Sequence, residues 1–219
     1  MAILNTPVKK SLNSLKESSY RGKEIIPFLQ DLGRLRVEIF RDYPYLYAGN
    51  IECEADYTQM YRDSPNTFFT VLTDGDQVVG ISTAIPLVET SEMMRNPFLK
   101  MKMEPQNFFY FGESVLKPDY RGQRLYKSFF DLREEEALRQ GYKFATFISV
   151  MRDVDDPAKP ENYVPLNETW TRYGYRQLNI YLNIPYPTVE RRSPLTKMAL
   201  NEEGDIVPHK LEFWFKELV

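Results

Sequence analysis

Between Phe108 and Tyr126 the chain reads FFYFGESVLKPDYRGQRLY. Phe108 to Leu116 is an apolar, aromatic run of the kind that enters a β-strand. Pro118-Asp119 turns the chain. Arg121-Gly122-Gln123-Arg124 then leads into a helical pattern with Leu125, Phe129 and Leu132 on one face. A strand, a short glycine-bearing loop and a helix N-terminus in that order aim unpaired N–H groups and the positive end of a helix dipole at one spot. Such a spot suits an anion, and the rest of the chain must decide which.

Upstream, Phe28/Leu29, Leu32, Leu35 and Ile39/Phe40 give a helical face from Glu24, which Tyr43-Pro44 breaks. A shorter helix is expected over Glu54 to Tyr61. Phe68–Leu72 and Val78–Ala84, joined through Asp74-Gly75, predict a hairpin. Leu87 to Gln106 is methionine-rich and irregular, with a helical turn after Ser91. It reads either as an adaptable cleft wall or as loose core. Downstream, the helix after the glycine loop ends near Gly141, and Phe144 to Val150 reads as a buried strand. Leu166 to Tyr173 predicts a short helix, and Tyr175–Ile184 and Lys210–Leu218 predict strands. The implied class is α/β, an α+β arrangement with a mixed sheet and helices on both faces. Residues 1–18 read as an N-terminal extension holding at most one short strand, and residues 19–219 as a single domain.

Composition narrows the function. A formal net charge of -3 argues against a nucleic-acid binder. No apolar run approaches the ~20 residues that span a bilayer, and MAILNTPVKK lacks a signal-peptide core. Cys53 is the only cysteine and His209 the only histidine. An internal disulfide framework, a Cys/His zinc site and a Cys–His dyad are therefore not expected, and a cytoplasmic setting is. Fifteen Tyr and fourteen Phe fit an aromatic core or an aromatic pocket. The chain has neither a GxxxxGK[ST] loop nor a Rossmann GxGxxG, so nucleotide hydrolysis is a poor fit.

Val115-Leu116-Lys117-Pro118-Asp119-Tyr120-Arg121-Gly122-Gln123-Arg124 resembles the acetyl-CoA-binding motif of the GNAT (Gcn5-related N-acetyltransferase) superfamily. Trp170-Thr171-Arg172-Tyr173-Gly174-Tyr175 resembles the aromatic-x-x-x-Gly-aromatic signature that follows the fifth strand of that fold. The similarity runs from about Glu24 to Tyr181, and Phe40–Tyr47 and Pro165-Leu166-Asn167 are similar to a bacterial branch. The resemblance implies a mostly antiparallel sheet with splayed fourth and fifth strands. It implies acetyl-CoA, or another acyl-CoA, as co-substrate, no metal, and a small-molecule or peptide amine as acceptor. Cofactor contacts would come from Ser114, Val115 and Leu116 along the pantetheine arm, from Arg121, Gly122, Gln123, Arg124, Leu125 and Tyr126 around the pyrophosphate, and from Asn167. Two positions depart from the motif, where Arg124 replaces a glycine and Tyr126 a small residue. Arg124 could present its N–H at negative φ and pair with a phosphate, stand solvated in the helix's first turn, or weaken CoA binding.

Acyl transfer to an amine needs a base, an oxyanion donor and an acid for the thiolate. Glu113, the only carboxylate of the Phe108–Leu116 strand, is the expected base; the alternative is a solvent-facing glutamate. Glu89 and Asp76 are weaker candidates. A backbone N–H near Ser114–Leu116 would hold the oxyanion. Trp170 stands where relatives carry a tyrosine acid, so Tyr173 is expected to substitute, with Tyr126 or water as alternatives. Tyr43, Tyr45 and Tyr47, with Glu89, are the expected acceptor-side residues, although alternating tyrosines could equally cap the core. A catalytically silent CoA-binding or interaction module is the rival reading. The apolar strand Leu211–Leu218 is the expected edge for a homodimer.

Overall fold

The computed structural model describes residues 14–189 and 205–218. Strand β1 (Leu15–Arg21) leads through a 3-10 turn, Gly22–Phe28, into helix α1 (Leu29–Phe40). The sequence pattern places that helix from Glu24. Pro27 delays it, since proline lacks an N–H and biases Ile26 away from helical dihedrals. Helix α2 (Ile51–Tyr57) starts three residues before the expected Glu54 because the Asn50 side chain accepts from Cys53 N–H at 2.9 Å. Helix α3 (Gln59–Asp63) completes that region. Strands β2 (Phe68–Asp74) and β3 (Gln77–Pro86) form the expected hairpin, with Gly75 at φ +59° in the turn.

The methionine-rich stretch folds as helix α4 (Glu92–Lys100), with Met94 in the core. It lies against the sheet away from the cleft described below. Strand β4 (Phe108–Leu116), helix α5 (Leu125–Arg139) and strand β5 (Phe144–Val150) follow as the sequence predicts. Helix α6 (Asn167–Arg172), strand β6 (Arg176–Thr188) and strand β7 (Asp205–Glu217) complete the described chain. No helix among the described residues is long and apolar enough to cross a membrane.

The strands form one sheet in the order β1-β2-β3-β4-β5-β7-β6. Only β4 and β5 run parallel; the remaining neighbours are antiparallel. One core, with Leu32, Leu35, Tyr61 and Phe98, covers one face. A second, with Phe111, Phe130, Phe147 and Trp170, covers the other. The expectation of a free edge at Leu211–Leu218 is corrected here. Strand β7 sits between β5 and β6 with both sides paired, so it offers no edge to a second copy. The proposed extension, residues 1–18, lies mostly outside the described residues. Its last four residues belong to β1.

One buried carboxylate ties the edge strand to a helix. Glu136 of α5, 1% exposed, accepts from Arg21 Nε at 3.0 Å and from Arg139 Nε at 2.8 Å. Burial pushes its carboxyl up, but hydrogen bonds from Arg139, Arg21 and Gln140 outweigh that and hold it down to about 2. A depressed carboxylate stabilises the fold above its ordinary value near 4.5 and stops doing so as pH falls toward 2. Both arginines are exposed, so the discounted contribution is at most about 1 kcal/mol. The urea midpoint of Glu136→Gln should lie below wild type at pH 7 and converge on it between pH 4 and about 2.

Candidate functional site

Strands β4 and β5 pair only through Phe108–Tyr110 and Phe144–Thr146. Beyond those residues they part, and Gly112, Ser114 and Leu116 face Phe147–Val150 across a cleft of about 930 Å³. A bulge shapes the β4 wall. Ser82 pairs with Ser114 and Ala84 with Phe111, so Gly112 and Glu113 share the single residue Thr83. Gly112 must be a glycine here, because a Cβ would stand 2.0 Å from Tyr61 Oη and 2.6 Å from Thr83 Oγ1. Past the bulge, Lys117 N–H donates to Val79 O at 3.0 Å. Antiparallel pairs alternate, so Val115 bonds back to Ile81, while Ser114 and Leu116 turn their N–H and C=O groups away from β3 into the cleft.

The glycine loop closes one end. Gly122 has φ +73° and Arg124 φ +64°, and Arg124 O accepts from Lys127 N–H at 3.0 Å to start α5. The expectation of negative φ, or of a place inside the first turn, is corrected. Arg124 precedes the helix in the left-handed conformation that glycine takes most easily. Arg124→Gly should raise unfolding free energy by about 1 kcal/mol in urea titrations, because it removes that strain. A loss of stability would mean that the guanidinium contributes more than the strain costs. Gln123 Nε2 is buried with no partner among the described residues, a donor awaiting an acceptor within the loop. Arg121 donates from Nε to Leu116 O at 3.2 Å; burial lowers its pKa, which the Asp42 charge opposes.

Of the expected cofactor residues, Ser114, Leu116, Arg121, Gly122, Arg124, Tyr126 and Asn167 line the cleft. Val115 faces the opposite core, Leu125 packs beside Leu116 and Tyr120, and Gln123 stands behind the wall. Five cations line the cleft (Arg121, Arg124, Lys127, Arg133 and Arg172) against one carboxylate, Asp42. On a chain of net charge -3 this is a local reversal of sign.

Trp170 Nε1 donates to Tyr126 Oη at 2.9 Å. The indole therefore orients a phenol rather than serving as an acid. Burial pushes the Tyr126 hydroxyl up to about 12, so it keeps its proton at neutral pH and has it to give. Tyr173 caps α6 on the same wall, its ring 5.3 Å from Phe130 and under Lys127 Nζ at 5.3 Å.

At the other end, Tyr43 and Tyr45 line the cleft with Phe40, Asp42 and Tyr163. The Tyr43 and Tyr163 rings meet edge to face at 4.6 Å, and Tyr45 stacks on Phe40 at 4.3 Å. Tyr47 does not line the cleft and packs against Tyr186 at 5.7 Å. Arg152 straps this loop by donating to Pro44 O at 2.6 Å and Tyr45 O at 2.9 Å. No spacing in the sequence signals Arg152, since its acceptors are carbonyls more than a hundred residues earlier. Glu89 is also outside the cleft. It bonds Ser64 and Asn66 beyond the far end of β3.

Glu113 is 3% exposed and points away from the cleft. Its carboxylate accepts from Arg36 Nη1, from Tyr57 Oη at 2.5 Å, from Tyr61 Oη at 2.8 Å and from Thr83 Oγ1 at 2.6 Å. Thr83 Oγ1 in turn accepts from the Glu113 N–H at 2.8 Å, which stitches the bulge. Arg36 also pairs with Glu54 at 2.5 Å. Burial lowers the Arg36 pKa, but the charges of Tyr57, Glu113 and Glu54 raise it well above its ordinary value.

No protein-family model matches the sequence, and no curated protein matches it. Solved structures do match. A GNAT-family protein from Desulfovibrio desulfuricans superposes with TM-score 0.52 at 10% identity, over 93% of this chain and all of that one. A protein from Salmonella typhimurium, described as an acetyltransferase and solved with its cofactor acetyl-CoA, gives 0.55 at 8% identity, over 94% and 95% of the two chains. The ribosomal-protein-S18-alanine N-acetyltransferase of Escherichia coli gives 0.52 at 9% identity, over 93% and 94%. Superposition over nearly the whole of each chain at that distance in sequence shows that the chain has the fold of the GNAT acetyltransferases.

Proposed function

We propose that the chain is an N-acyltransferase that moves an acyl group, acetyl in the simplest case, from acyl-CoA to a primary amine. The observation that carries the reading is the cleft where β4 and β5 part, with outward backbone groups on one wall and the cations Arg121, Arg124, Lys127 and Arg172 around it. Ser114 and Leu116 suit strand-like pairing with an amide-bearing arm. Arg121, Arg124 and the N–H groups opening α5 suit a pyrophosphate. The acetyl-CoA bound to the Salmonella protein and the amine substrate in the E. coli enzyme's name support the same pairing of substrates.

In the reaction, the amine lone pair attacks the thioester carbonyl carbon. A C–N bond forms, the carbonyl π pair moves onto oxygen, and its return breaks the C–S bond. The nitrogen sheds one proton and the sulfur gains one, giving an N-acyl amine and free CoA thiol. Tyr126, oriented by Trp170, is placed to protonate the thiolate; Tyr173 is the second hydroxyl on that wall. The acceptor enters between Tyr43, Tyr45 and Tyr163. Glu113, the base expected from the sequence, fits better as the anchor of the β4 bulge, since all its donors are internal.

Thiol release from acetyl-CoA across a panel of polyamines, lysine, aminoglycosides and peptide N-termini tests this. Release with at least one amine is expected, slowed about tenfold or more by Tyr126→Phe and less by Tyr173→Phe. Silence with every amine would favour a CoA-binding module without turnover.

A further inference from the structure

Arg133 of α5 lines the cleft wall and has no role in the reaction as written. It is 1% exposed, and its guanidinium lies 4.4 Å from the Phe111 ring centre and 4.9 Å from that of Phe130. Among the described residues it makes no ion pair. Its donors go to neutral acceptors: Nε to Phe129 O at 2.9 Å, Nη1 to Glu113 O at 3.0 Å and Thr83 O at 3.3 Å, and Nη2 to Ser114 Oγ at 2.8 Å. Burying an arginine without a counter-anion is costly. Burial lowers its pKa to about 10, which still leaves it charged at neutral pH.

Three of these acceptors, Thr83 O, Glu113 O and Ser114 Oγ, belong to the bulge. The Glu113 carbonyl and the Ser114 N–H are the two ends of one peptide unit. A cation on the carbonyl draws electron density from the amide and strengthens its N–H as a donor. That N–H points into the cleft, by the alternation set at Lys117 and Val79. We propose that Arg133 is a positioning residue for the oxyanion donor. It locks the bulge and polarises the Glu113–Ser114 peptide, so that Ser114 N–H holds the thioester oxygen as negative charge develops there. The inference rests on the acyltransferase reading above.

Difference infrared spectroscopy on the intact protein with carbonyl-¹³C acetyl-CoA tests it without a known acceptor. The bound thioester carbonyl should absorb at lower frequency than in free acetyl-CoA. Arg133→Met, which keeps the apolar stem between the two rings, should lose more than about half of that shift. Its acetyl-CoA affinity should stay within about threefold, as expected when a donor acts on developing charge. Failure of wild type to bind acetyl-CoA would sink the acyltransferase reading itself. Binding with an unshifted carbonyl in wild type, or with the full shift kept in Arg133→Met, would overturn the role of Arg133 alone. Circular dichroism verifies that the variant folds. Should Arg133→Met not fold, Arg133→Gln keeps a neutral amide donor under the bulge but removes the charge, and retention of the full shift there is equally contradictory.

Discussion

Glu113→Gln should lower the free energy of unfolding by about 3–5 kcal/mol, the largest single-residue effect expected in this chain. The carboxylate takes four donors with almost no exposure to water. A glutamine keeps the shape but offers one acceptor oxygen, and its NH₂ turns toward the Arg36 guanidinium, which can only donate, or toward hydroxyls that must reorient to accept. Arg36 retains Glu54, so the guanidinium is not abandoned. With one acceptor oxygen left for four donors, at least one of these donors loses its acceptor, and an unmet buried donor costs about 1–3 kcal/mol. Urea unfolding reads the loss directly. Wild-type stability in Glu113→Gln would show that the carboxylate is not the anchor described here. It would reopen its role as a base, which the pH dependence of turnover in the same variant then decides.

Gly112→Ala should cost about 3 kcal/mol, the second-largest effect, by a different route to the same cluster. The added methyl would lie 2.0 Å from Tyr61 Oη and 2.6 Å from Thr83 Oγ1, so both must move. Each of them is a partner of Glu113, and displacing them adds lost charge-assisted hydrogen bonds to the overpacking. Because Gly112 also lines the cleft, the alanine variant should bind acetyl-CoA more weakly than wild type. Thermal and urea unfolding, each with and without acetyl-CoA, separate the two consequences. An alanine variant as stable as wild type would mean that the bulge yields more easily than its contacts imply.

Local signals in the sequence carry the fold a long way. The largely apolar runs Phe108–Leu116 and Phe144–Val150 end where the strands end, because burial on both faces of a central sheet favours apolar residues at successive positions. Asp74-Gly75 marks the hairpin for a stereochemical reason. The loop Arg121–Arg124 and the helix after it are legible for the same kind of reason. What escapes is nonlocal. Strand β7 reads as an edge because its apolar pattern is visible, while its two neighbours are set by the order of the whole sheet.

Glu113 reads as a base because its partners Arg36, Tyr57 and Tyr61 lie 77, 56 and 52 residues away, with no spacing that links them to it. Arg133 is hidden by its context. In the run Leu132-Arg133-Glu134-Glu135-Glu136 it looks like part of a solvated helix face, yet it turns inward under the bulge. Arg124 is the reverse case, a visible departure from the motif that nevertheless takes the left-handed conformation glycine adopts most easily.

The cleft between the parted strands is proposed to hold an acyl-CoA. Isothermal titration calorimetry of acetyl-CoA into the intact protein tests it most directly. Saturable heat with a dissociation constant below about 1 mM is expected, weakening as salt screens Arg121, Arg124, Lys127 and Arg172 and weakened again by Arg121→Ala. No heat at millimolar acetyl-CoA would contradict it.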